Sequence, residues 1–124
     1  AKENFETAFQ ICNRYLSNKE RYGHLEFPLR KLRADTLVSM GLFLSAIDEY
    51  DCILKKDTIP WAFHGKAKCF IKVSRYEEAE KILISLIEKF PHYMACYDDL
   101  IALYEIQQDY PKQETILTEA IKIS

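Results

Sequence analysis

The sequence predicts an all-α chain of about seven helices, built as antiparallel helical hairpins stacked side by side. Three observations predict it. One amphipathic pattern recurs at a nearly fixed interval: Tyr76, Ala79, Leu83 and Leu86 return 34 residues later as Tyr110, Gln113, Leu117 and Ala120. Moving 33 residues upstream, Tyr76, Ala79 and Leu83 become Phe43, Ala46 and Tyr50, while Phe63 and Phe70 return as Tyr97 and Tyr104. A period of this size marks stacked copies of one supersecondary unit. Within each copy the apolar residues fall three and four apart, which is one helical face and not the alternation of a strand. Finally, 124 residues hold only 3 glycines and 4 prolines, which favours helices joined by short turns.

Residues 4–17 carry Phe5, Ala8, Phe9, Cys12, Tyr15 and Leu16 at helical spacing. Phe5, Ala8 and Cys12 repeat the relative spacing of Tyr76, Ala79 and Leu83, so the chain opens on the second helix of an incomplete unit. Residues 18–24 are polar, contain Gly23, and read as a connection slightly longer than the usual helix–helix turn. The next helix covers 26–40. Pro28 suits its first turn, Leu29, Leu32, Leu37 and Met40 give its apolar side, and Gly41 ends it. Its partner, 43–56, turns Ala46, Ile47, Tyr50, Ile53 and Leu54 inward. Thr58 and Pro60 mark the next start, and residues 60–72 carry Trp61, Phe63, Ala67, Phe70 and Ile71.

Residues 74–90 open on the spacing of a capping box, Ser74 with Glu77. Ala79, Ile82, Leu83, Leu86 and Ile87 then form one continuous face, and Pro91 closes the segment. Residues 93–106 and 111–124 make the last hairpin, with Asp109 as cap and Pro111 in the first turn. The expected organisation is one domain over 1–124: a half unit at 4–17 and hairpins at 26–57, 60–91 and 93–124. Its core should join Phe63, Phe70, Ala79, Leu83, Leu86, Tyr97, Leu100, Tyr104 and Leu117. Ala46 and Ala79 are small because two helix axes cross there within roughly 8–10 Å.

Composition narrows the function. Apolar residues are 48% and charged residues 29% of the chain, the balance of a folded soluble protein. The formal net charge of −2 gives no electrostatic footprint for nucleic acid. No apolar run approaches the roughly 20 residues of a membrane span. Cys12, Cys52, Cys69 and Cys96 form no CxxC pair, and each sits in an apolar helical pattern. They read as buried small residues in a reducing cytoplasm. His24, His64 and His92 lack zinc-ligand spacing, so neither metal nor cofactor is expected. The chain begins on Ala1 and not on methionine, and is read as part of a longer protein.

The repeating residues resemble the tetratricopeptide repeat (TPR) family over about 100 residues. In the middle unit the family's positions are Phe63, Lys66, Ala67 and Phe70, then Tyr76, Ala79, Leu83, Leu86 and Pro91. In the last they are Tyr97, Leu100, Ile101 and Tyr104, then Tyr110, Gln113, Leu117 and Ala120. In the first they are Arg30, Arg33, Ala34 and Leu37, then Phe43, Ala46, Tyr50 and Ile53. Arg33 and Lys66 stand where the family has Leu, Gln113 where it has Ala, and Thr58 where Pro is usual. The resemblance implies a right-handed superhelix whose concave side is lined by the first helix of each unit. That surface would include Lys31, Asp35, Trp61, His64, Lys68, Lys72, Asp98, Ala102 and Glu105. Its charges read equally as a solvated mixed surface. Trp61 has two readings, as a binding anchor at the groove edge or as packing between hairpins.

A protein–protein interaction module is the function implied, with a protein or peptide as partner. No phosphate loop, paired carboxylates or nucleophile with a nearby base points to chemistry. The enzyme alternative rests on Cys69 beside Lys68 as an activated thiol. Within the interaction class, residues 59–83 and 90–105 resemble the repeat tail of bacterial response regulators, which follows a receiver domain in two-component signal transduction. Type III secretion chaperones and generic scaffolds are the alternatives. The chaperone-peptide clamp of the family is disfavoured: Lys31 fits one position, but Asp35, Gly65, Ala95 and Asp99 occupy the others. The last helix, 111–124, has more apolar residues than one neighbour can cover. A homodimer through it is therefore expected, with Ile123 among the uncovered residues.

Overall fold

The computed structural model describes residues 2–123. The long helices are α1 (Lys2–Leu16), α3 (Glu26–Ser39), α4 (Phe43–Leu54), α5 (Pro60–Lys72), α6 (Tyr76–Lys89), α7 (Met94–Ile106) and α8 (Tyr110–Ile123). Between the first two, the expected connection is itself wound up. Lys19–Tyr22 forms a one-turn helix, α2, capped by the Asn18 side chain, and Gly23–Leu25 adds a 3₁₀ turn. No strand occurs among the described residues. The fold is an all-helical, TPR-like solenoid.

Each long helix packs chiefly on its neighbours in chain order, and α1 packs on α3 as α4 packs on α5. The small residues sit at these crossings: Ala34, Ala46, Ala62, Ala67 and Ala79 are all fully buried. Around them lie Ile53, Leu83, Leu86, Tyr97, Leu100 and Leu103, in one cluster running from α3 to α8. Phe70 and Tyr104 join it as expected, and Phe63 packs against it half-buried.

The period is written most clearly in the turns within hairpins. Gly41, Ser74 and Gln108 have φ of 78°, 64° and 57°. The residue after each donates its amide back across the turn: Leu42 to Leu37 at 2.9 Å, Arg75 to Phe70 at 2.8 Å, Asp109 to Tyr104 at 2.8 Å. The left-handed residues themselves bond Val38, Ile71 and Glu105. This is the Schellman closure, which satisfies the last carbonyls of one helix and aims the chain into the next. It also overturns the capping box. Ser74 is used to end α5, so α6 begins at Tyr76, with Arg75 at its N-cap and no side-chain cap bond. Thr58 likewise stays outside α5, whose N-cap is Ile59 with Pro60 at the first position. Asp109 does cap α8, its Oδ1 accepting from the Lys112 amide at 3.3 Å.

Two apolar assignments need correction. Leu32 points outward, because the inward face of α3 carries Arg30, Arg33, Ala34 and Leu37. Both arginines bond Oε1 of the buried Glu49 on α4, at 3.1 and 2.9 Å, and Arg33 also reaches Asn13 on α1 at 2.7 Å. In α8 it is Ile116 that is buried, while Leu117 is 41% and Ile121 72% exposed. Leu117 corresponds to the buried Leu83 of α6, a helix on which α7 packs as well as α5. No described helix follows α8 to cover Leu117. Ile123, expected to be bare, is half-buried against the core.

Two of the other departures from the family pattern find polar partners. Lys66 pairs with Asp51 at 2.6 Å, and Gln113 donates to the Ile101 carbonyl at 3.2 Å.

Candidate functional site

A helix returns to the same face after three, four, seven and eleven residues. Trp61, His64, Gly65, Lys68 and Lys72 therefore share one side of α5, and Lys31 and Asp35 stand a turn apart on α3. These faces border a cavity of about 390 Å³ between α3 and α5, floored by Phe43 and Tyr50 of α4. The floor depends on Gly65. A β-carbon there would meet Tyr50 Cζ at 2.5 Å and its hydroxyl at 2.7 Å. With hydrogen in its place the Tyr50 ring slides under α5, where burial pushes its phenol well above the usual value.

The charges around the cavity divide into held and free. Lys31 bonds Asp35 at 3.3 Å, and its ammonium stands 5.6 Å from the centroid of the Trp61 ring, within cation–π range. Lys68 and Lys72 are exposed and make no ion pair with any described residue. Three lysines thus face one aspartate around the cavity, in a chain whose net charge is −2.

The same face of α5 is also tied to α7, through His64. His64 Nε2 pairs with Asp99 Oδ2, and His64 Nδ1 shares a hydrogen bond with the Tyr93 hydroxyl at 3.2 Å. The two rings meet edge to face with centroids 5.4 Å apart. This bridge fills the space between α5 and α7. Of the nine residues expected on the concave side, Lys31, Asp35, Trp61, His64, Lys68 and Lys72 line one cavity. Asp98, Ala102 and Glu105 are exposed on α7 and lie outside it. Sequence reasoning missed Tyr50 and Phe43 as the floor, and Tyr93 and Asp99 as the partners of His64. Gly65, the only glycine inside a long helix, was the available signal.

The thiol is not activated. Cys69 borders the cavity, but burial pushes its thiol up to about 11, only partly opposed by Lys68. A nucleophilic cysteine needs the opposite shift. Burial takes Cys96 to about 12. Among the described residues no group of three His, Cys, Asp or Glu is placed to hold a metal ion, and no helix is long and apolar enough to cross a membrane.

No family model matches the chain, and no curated protein matches it. Among solved structures it is similar to a MamA RS-1 ArsTM double mutant, with a TM-score of 0.69 and 19% identity, over 99% of this chain and 75% of that one. At this identity the likeness shows the solenoid fold alone.

Proposed function

We propose that this chain is a non-catalytic protein–protein interaction module, and that the cavity between α3 and α5 holds a segment of its partner. One observation carries the reading: six residues that the family resemblance implies for the concave side line a single cavity. That cavity has an apolar floor and an aromatic edge, and it is bordered by two lysines without ion-pair partners. Such sites are concave and mostly apolar, with a few polar groups that fix orientation. The module is further read as the output half of a bacterial two-component response regulator, acting in the cytoplasm. The resemblance of residues 59–83 and 90–105 to the repeat tails of those proteins supports this. The phospho-accepting aspartate would then lie outside this chain.

Selection of binders from a random peptide library on the immobilised chain tests the groove. Trp61→Ala should abolish capture of the selected peptides, and Glu114→Ala, on the exposed side of α8, should not. Peptides captured equally well by both variants would place the site elsewhere. For the regulator reading, the longer protein should change its affinity for the same peptides when its receiver is loaded with beryllofluoride. Unchanged affinity would remove it.

A further inference from the structure

We infer that the groove selects an internal acidic segment: two carboxylates at alternate positions of an extended chain, with an apolar residue four positions away on the same face. The inference deepens the groove reading and rests on it. Lys68 and Lys72 are four residues apart on α5, so their Cα atoms are separated by about 6 Å along the axis. Alternate residues of an extended chain point the same way about 6.6 Å apart. Two acidic side chains separated by one residue therefore match the two lysines. Trp61 lies two turns back, about 10 Å from Lys68, and the nearest position of an extended chain that points the same way is four residues, or about 13 Å, away. There the indole and the Phe43–Tyr50 floor offer apolar surface.

The local charge singles out this class. Lys31 is already held by Asp35 and Trp61, so Lys68 and Lys72 are the cations left for a ligand. A free chain-end carboxylate is not required, because among the described residues no further unpaired Lys or Arg lines the cavity. Nucleic acid fits less well: two free lysines are a small footprint for a phosphate backbone.

Trp61 is the only tryptophan in the chain, so its fluorescence reports occupancy directly. The probe is the capped peptide acetyl-Ser-Leu-Ser-Gly-Ser-Glu-Ser-Glu-Ser-amide, together with its reversed sequence, titrated at low and physiological salt. The expected result is a saturable change in Trp61 emission with one of the two orders. Affinity should fall as salt rises and fall roughly tenfold in the Lys68→Glu, Lys72→Glu variant, two exposed pairs being worth up to about 1 kcal/mol each. Replacing both peptide glutamates by lysine should abolish the change. A response to the lysine peptide and not to the acidic ones would overturn the acidic assignment while leaving the groove as a peptide site. Tighter binding of a single-stranded oligonucleotide than of either acidic peptide would overturn it in favour of nucleic acid. Silence with every probe would overturn the assignment too, and the library selection then judges the groove separately.

Discussion

Gly65→Ala sets two well-known effects against each other, and the structure decides between them. In an exposed helix, replacing glycine by alanine gains about 1 kcal/mol from propensity. At Gly65 the new methyl carbon would lie 2.5 Å from Tyr50 Cζ and 2.8 Å from Cε1. Tyr50 is only 4% exposed and its ring is rigid, so it must move by about 1 Å into packed neighbours. Overpacking of that kind costs about 1–3 kcal/mol. Taking the middle of that range, the net effect is a loss of about 1 kcal/mol, or about 3–5 °C in Tm for a chain of this length. Gly23→Ala is the control, since nothing lies within 4 Å of a β-carbon there. Urea denaturation of both variants, followed by circular dichroism, measures the difference. Tyr50→Leu should rescue Gly65→Ala, giving a coupling energy in the double-mutant cycle. A Gly65→Ala midpoint at or above wild type, with no coupling to Tyr50, would show that the ring is not packed under α5.

Other expectations follow from the same structure. Glu49→Ala leaves two largely buried guanidinium groups without their carboxylate, and should cost about 3 kcal/mol; a loss below 1 kcal/mol in denaturation would mean the cluster is hydrated. Ser74→Gly and Gln108→Gly should each raise stability by about 1 kcal/mol, because glycine adopts positive φ without the penalty other residues carry; unchanged midpoints would contradict the turn geometry. Lys56 bonds Glu26 at 2.5 and 2.7 Å and holds its carboxyl below the usual 4.5. A depressed carboxyl contributes stability above its unfolded value and loses it as pH falls through the folded one. Lys56→Met should therefore cost less than about 1 kcal/mol at pH 7, and its stability curve should converge with wild type on acidification below about pH 4. Parallel curves across that range would deny the pair a role.

The hairpins were legible because their apolar residues repeat in two ways at once, at helical spacing within an element and at 33 or 34 residues between elements. What the pattern could not show is how charged residues distribute when they point inward. Arg33 read as a departure from the family pattern, and only the position of Glu49 on the facing helix explains why it and Arg30 turn inward. Leu32 was read inward for the same reason, since hydrophobicity alone picked it over its charged neighbours. Ser74 was misread because one serine can start a helix or end one, and nothing local distinguishes the two. In the site, one face of α5 was predictable from spacing. The tie from that face to α7 was not, since Tyr93, His64 and Asp99 meet only through the packing of α7 on α5.

The arginine–glutamate cluster has a consequence for how the chain assembles. A repeat array risks pairing a helix with the wrong copy of its partner, since the copies are built alike. Here the copies differ at the contact itself. Where α4 has Glu49, α6 has Ile82 and α8 has Ile116; where α3 has Arg30, α5 has Phe63 and α7 has Tyr97. Docking α3 on α6 or α8 would bury two guanidinium groups against isoleucine, with nothing to neutralise them. The cluster acts as a key that only one neighbour accepts, and it fixes the order of the stack from its first hairpin. A chain carrying Arg30→Phe, Arg33→Leu and Glu49→Ile should lose that key: equal or more stable at equilibrium, yet slower to refold and prone to misordered stacks that aggregate.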